Sequence, residues 1–235
     1  MPPEEDSSPR PSTQAHHPSG KALPILCYPS RRMKLIVGLG NPGAEYERSR
    51  HNVGWMIADA FAKKFRIEIG RHEKDAMTGE GRVAGGSVKV AEPLTFMNNS
   101  GDVVRLLVNA YLDSTDDLMI VYDDIDLPLA RLRIKPSGSS GTHNGMRSIV
   151  AALASERFPR LRFGVRGAEY PDGRLRDYVL DDFTAEEAPL VTRGIERAVD
   201  ALVLFARGDL KRAMNEFNRD TPEESEKDGK GNVEC

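Results

Sequence analysis

Five short stretches concentrate residue types that can bind or react. Gly38-Leu39-Gly40-Asn41-Pro42-Gly43 follows an apolar run and matches G-x-G-x-x-G, the sequence part of a dinucleotide site. Such a site needs a helix that starts within the glycines, so that free N–H groups meet a pyrophosphate. Pro42 removes one donor and disfavours helix at Asn41. Ala44–Arg50 carries no apolar stripe. A dinucleotide-binding oxidoreductase is therefore disfavoured, and a sharp turn after a core strand accounts for the backbone. It does not account for a polar Asn41 at the C-terminal edge of a strand, where α/β folds place their sites.

The other four stretches each admit two or more readings. In Arg50-His51-Asn52 the histidine can be a cap, a surface residue or a base. In Thr95–Gly101 an Asn or Ser can cap a helix, or Phe96, Met97, Asn98 and Asn99, exposed on a loop, can hold a flat ligand by stacking and amide hydrogen bonds. Tyr122-Asp123-Asp124-Ile125-Asp126 places three carboxylates just past an apolar run. They suit a solvated turn, a metal site, or one buried Asp that orients a histidine. Ser137–Gly145 is a Gly/Ser loop running into a helical pattern. Its N–H groups could receive phosphate, or it could simply connect two elements.

These stretches punctuate an alternation of strand and helix patterns, which argues for an α/β fold. Lys34–Leu39 and Asp117–Tyr122 are short apolar runs that predict buried strands. Leu161–Val165 predicts a third strand, and Arg131–Lys135 one with a wet face. Gly81–Ala91 predicts a hairpin turning at Gly85-Gly86. Helical spacing of apolar residues runs through Val53–Phe65, Asp102–Leu112, Asn144–Ala154 and Ala185–Ala206. The expectation is one domain over 33–219 with a sheet covered on both faces. Residues 1–32 are Pro-, Ser- and His-rich and 220–235 are acidic, so both are expected to be disordered tails.

Composition excludes several classes. The chain has 235 residues and two cysteines, Cys27 and Cys235, so it is not stapled by disulfides, and a reducing compartment is expected. No C-x-x-C offers a thiolate zinc site. No apolar run reaches the ~18–20 residues of a membrane span. Net charge is −3, yet residues 131–176 hold ten Lys and Arg against three acids. That segment is either a solvated basic face or a surface for a polyanion.

Taken in order, GLGNPGxxYxxxRHNxG (Gly38–Gly54), PLTFMNNSG (Pro93–Gly101), YDDIDLPLARLRIKPSG (Tyr122–Gly138), GTHNGMRSI (Gly141–Ile149) and FPRLRFGVRG (Phe158–Gly167) resemble the bacterial-type peptidyl-tRNA hydrolases. The resemblance spans about Met33 to Asn218. It implies a compact α/β monomer with a mixed, mainly parallel twisted sheet between helices. It also implies no metal and no organic cofactor, no obligate protein partner, no membrane and a cytoplasmic setting. The implied activity is hydrolysis of the ester between a peptide and the 3′-terminal ribose of tRNA. His51 matches the catalytic histidine, Asp123 its partner, and Asn41 the sensor of a blocked peptide amine. Tyr46, Phe96, Met97, Asn98 and Asn144 match cleft positions, and His143 a histidine beside the active site. Lys135 and Arg162 match the pair that grips the tRNA 5′-phosphate. The loop Ser137–Thr142 has fewer glycines than many relatives.

The expected chemistry is a water activated by His51 near pH 7, with Asp123 fixing its tautomer. Asn41, Asn98 or a backbone N–H could stabilise the oxyanion, and sequence does not choose among them. The alternative is a non-catalytic RNA-binding relative of the same fold.

Overall fold

A computed structural model describes residues 33–168 and 175–219. The two expected tails, 1–32 and 220–235, lie outside the described residues. Seven strands form one sheet in the order β2-β3-β4-β1-β5-β7-β6. Its centre is β4 (Gly86–Pro93), β1 (Lys34–Gly38), β5 (Leu118–Pro128) and β7 (Arg160–Arg166). These four are parallel. The edges are antiparallel: β3 (Ala76–Val83) and β2 (Arg71–Glu73) on one side, β6 (Leu132–Lys135) on the other.

The central strands are apolar runs because both faces are covered. Successive side chains point to opposite faces, and the two cores divide accordingly. Ile36, Met119, Val121, Leu161 and Phe163 join the core that includes α1 (Val53–Phe65) and α5 (Ala188–Ala206). Leu35, Val37, Leu118 and Ile120 join the core that includes α2 (Ser100–Tyr111) and α3 (Asn144–Leu153). Two glycines let α1 press onto the sheet. A Cβ on Gly38 would lie 2.3 Å from the Gly54 carbonyl oxygen, and one on Gly54 would lie 2.5 Å from those of Leu39 and Val121. That approach carries the turn Arg50–Asn52 over the C-terminal edge of β1 and β5.

Each expected strand and helix is present, with shifted ends. The hairpin turns at Ala84 and Gly85, both at positive φ, one residue before the expected pair. The carboxylates of Asp123 and Asp124 lie within β5, which runs on to Pro128; they do not lie past it. The reason is that β7 continues to pair with β5 at both aspartates. Three elements escaped the sequence reading: β2, α4 (Leu175–Leu180) and α6 (Leu210–Phe217). The first two are shorter than the periodicity they would need to show. The third carries Leu210, Ala213, Met214 and Phe217 at helical spacing after an Asp209 cap, a signal that was legible.

Candidate active site

A cleft of about 880 Å³ opens at the C-terminal edge of β1, β4 and β5. All eleven residues singled out from sequence line it: Asn41, Tyr46, His51, Phe96, Met97, Asn98, Asp123, Lys135, His143, Asn144 and Arg162.

Its floor is held by hydrogen bonds between loops. The Asn41 N–H donates to Asn52 Oδ1 at 2.8 Å, and Asn52 Nδ2 donates back to the Asn41 carbonyl at 3.0 Å. This two-way clamp joins the loop after β1 to the turn that carries His51. Asn52 was read only as part of a tripeptide; the clamp gives it a role of its own. Asn41 is buried, and its Oδ1 accepts from the Met97 N–H at 2.9 Å. A backbone donor settles which end of the amide is oxygen. One lone pair of that oxygen is therefore engaged, which leaves its second lone pair and the Nδ2 hydrogens for a ligand.

Asp123 lies between two histidines. Its Oδ1 is 2.8 Å from His51 Nδ1 and 2.9 Å from His143 Nε2. The other nitrogens distinguish the two rings. His143 is the N-cap of α3, and its Nδ1 accepts from the Met146 N–H at 3.2 Å. Its Nε2 therefore carries the proton that meets Asp123, and both of its nitrogens are engaged. Among the described residues His51 has only Nδ1 engaged, so its Nε2 remains as a base. Burial pulls the His51 pKa down, but the charge and hydrogen bond of Asp123 outweigh it, and the net shift is upward from 6.5. Burial alone would raise Asp123; the two imidazoles reverse this and hold it well below the usual carboxylate range. Burial pushes the neighbouring Tyr122 phenol up to about 12, so it stays neutral.

The ligating atoms of His51, Asp123 and His143 lie within 4.8 Å of one another, a donor set that a zinc ion can use. Ligation through His143 Nε2 would move its proton to Nδ1 and set that N–H against the Met146 N–H. The cap at α3 thus favours shared protons over a shared metal.

The upper walls are of a different kind. Phe96 is 57% exposed, whereas Met97 is 4% exposed and packs in the core beneath it. Met97 is an anchor and Phe96 the exposed ring. Asn98 Nδ2 bonds Asn99 Oδ1. Lys135 and Asn144 are exposed at the rim. Arg162 Nε donates to Asp124 Oδ2, and Asp124 Oδ1 accepts from the Asp126 N–H at 2.9 Å.

Arg160, two residues earlier and on the same face of β7, has another use. It is 1% exposed, stacks on Phe158, and donates to the carbonyls of Gly138, Ser139 and Glu156. Arg160 braces the Ser137–Thr142 loop from beneath, so the basic count of 131–176 overstates the charge open to a polyanion. The fourth wall is α4, through Leu175, Arg176, Val179 and Leu180; a six-residue helix gave no sequence signal.

The model of the family described as peptidyl-tRNA hydrolase matches residues 35–227. The peptidyl-tRNA hydrolase of Clostridium beijerinckii is 45% identical over 186 residues, covering 79% of this chain and 96% of that protein. That of Salinibacter ruber is 44% identical over 184 residues, covering 78% and 97%. The crystal structure of the Acinetobacter baumannii enzyme superposes with a TM-score of 0.76 at 32% identity, covering 82% of this chain and 97% of the other. With five motifs in order, one cleft gathering them, and these relatives matched along nearly their whole length, the chain belongs to the bacterial-type peptidyl-tRNA hydrolase family.

Proposed function

We propose that the chain hydrolyses the ester between a peptide, or an N-blocked amino acid, and the 3′-terminal ribose of tRNA. The observation that carries the mechanism is the unequal engagement of two histidines by one carboxylate oxygen. His51 Nε2 takes a proton from water, the resulting hydroxide attacks the ester carbonyl, and His51 returns the proton to the leaving 3′-oxygen. Asp123 holds Nδ1–H and stabilises the imidazolium. Of the oxyanion donors left open by sequence, Asn41 Nδ2 fits best: Asn41 is buried and held by Asn52 and the Met97 N–H, while one Asn98 Nδ2 hydrogen already bonds Asn99.

The same Nδ2 could donate to the carbonyl of an N-blocking acyl group, which a free aminoacyl ester lacks. Phe96 and Tyr46 offer faces for the CCA end. Lys135 and Arg162 meet the 5′-phosphate as a point charge and a fork. The tRNA body lies along the basic rim through phosphate contacts. No step calls for a metal or cofactor. All of these groups come from one chain, which supports a monomer, and a tRNA ester as substrate supports a cytoplasmic setting. Among the described residues no helix is long and apolar enough to cross a membrane.

The test is hydrolysis of N-acetyl-aminoacyl-tRNA with EDTA present, comparing wild type with His51→Ala. Wild type should turn over with an acid limb above pH 6.5, the side to which Asp123 moves His51. His51→Ala should lose at least about 10³-fold in kcat. A folded His51→Ala with near wild-type turnover would overturn the mechanism. A wild type that binds tRNA without turnover would make the chain an RNA-binding relative.

A further inference from the structure

Arg50, the residue before His51, is 4% exposed. Its Nη2 pairs with Glu187 Oε2 at 2.8 Å. The rings of Tyr178 and Phe183 lie 4.4 and 5.0 Å from the guanidinium carbon. The backbone follows the same path: the Arg50 N–H donates to the Asp181 carbonyl at 3.0 Å, and Ser49 bridges Asp182. Arg50 is thus tied through side chain and backbone to the stretch from Tyr178 to Glu187. That stretch begins in α4, a wall of the cleft. Tyr178 is itself fixed, since its hydroxyl donates to the Val165 carbonyl and accepts from the Gly167 N–H.

Packing alone does not explain an arginine here. Its Nε and Nη1 are buried without hydrogen-bond partners among the described residues, an uncompensated loss of solvation. A Met or Leu would fill the space between two aromatic rings and leave no polar atom stranded. What a guanidinium adds is a fixed direction: a planar group covered on its faces and held at one end by a carboxylate cannot rotate or slide. Its neighbour in the chain is His51, the base of the mechanism above, whose placement to within about 1 Å bears on the rate.

We propose that Arg50 is a positioning residue, which locks the turn bearing His51 to the α4 wall so that the imidazole is held against Asp123. The proposal rests on His51 as the base, and His51→Ala assayed alongside separates the two ideas. The test variants are Arg50→Lys, which keeps the charge but not the planar fork, and Phe183→Leu, which removes one ring. For each, kcat, KM, the pH profile with N-acetyl-aminoacyl-tRNA, and the Tm are measured.

Arg50→Lys should lower kcat by about tenfold or more with KM within about twofold. Its acid limb should move to lower pH, because a looser Asp123 contact raises His51 less. Phe183→Leu should show the same pattern, more weakly. Wild-type kcat in folded Arg50→Lys, or a raised KM with unchanged kcat and an unmoved acid limb, overturns the proposal. If Arg50→Lys does not fold, Phe183→Leu decides by the same criteria. If His51→Ala retains turnover, the base reading fails first; if His51→Ala is inactive while Arg50→Lys is silent, the positioning role alone fails.

Discussion

The floor of the cleft and its basic rim are built by opposite means. On the floor, Asn41, Asn52, His51 and Asp123 hold one another through hydrogen bonds of 2.8–3.0 Å, and a backbone N–H fixes the Asn41 amide. On the rim, Lys135, Asn98 and Phe96 are exposed, and Arg162 leans on Asp124. Atoms that take part in bond-making gain from being aimed before the substrate arrives. A polyanion needs only charge within reach, and mobile side chains supply it. The floor should therefore respond to the loss of a single atom, and the rim only to the loss of charge.

The sharpest way to break this contrast is Asn41→Asp. The new carboxylate can still accept from the Met97 N–H, so the loop has what it needs to hold. The donor at Nδ2 becomes an acceptor bearing charge. Turnover of N-acetyl-aminoacyl-tRNA should fall by about 10²–10³-fold, the usual cost of an oxyanion-hole donor. Discrimination against aminoacyl-tRNA, whose α-ammonium a carboxylate would welcome, should narrow. Assays of both substrates check this. Equal losses on the two would mean that Asn41 stabilises charge but does not sense the blocked amine.

The rim should behave otherwise. Lys135→Ala with Arg162→Ala should raise KM by roughly tenfold, leave kcat within about twofold, and reduce the slope of log affinity against log salt by about 2. The preference for 5′-phosphorylated over dephosphorylated tRNA should disappear. A retained preference would remove the phosphate clamp from this pair. A large fall in kcat would mean that the rim and floor are not separate, a result Asp124 could cause, since Arg162→Ala leaves its buried carboxylate unpaired beside Asp123.

The sequence carried the floor further than the rim. Apolar runs marked β1, β5 and β7 because burial on two faces admits few polar residues. The motif residues converge because Gly38 and Gly54 permit the close contact of α1 with β1. The polarity of Asn41 was not legible: it depends on Met97, 56 positions away, and no local rule supplies that partner. Nor could spacing tell His51 from His143, since the distinction is a cap on α3. On the rim, a count of charges could not separate Arg160, turned inward as a brace, from Arg162, turned to the cleft. Strand alternation alone puts residues two apart on the same face, and only the loop carbonyls above Arg160 divide their uses.

The smallest effect tests how far the rigid floor extends. Glu92 lies in β4, four residues before Phe96, and is 9% exposed, with Oε1 unpartnered among the described residues. Burial, with the negative charge of Asp59, pushes its pKa up to about 8 from 4.5. The folded protein therefore keeps a proton that the unfolded chain releases, and stability falls as pH rises from 4.5 to 8. Glu92→Gln mimics the protonated acid. It should stabilise the protein by on the order of 1–3 kcal/mol at pH 7, and hardly at all at pH 4, where both forms are neutral. Melting curves at the two pH values check this, and an equal gain at both would mean that shape rather than charge is responsible. Because Glu92 touches neither histidine nor Asn41 through any hydrogen bond, kcat at pH 7 should stay at the wild-type value. A kcat that moved with this side chain would extend the preorganised floor back into β4, beneath the loop that carries Phe96.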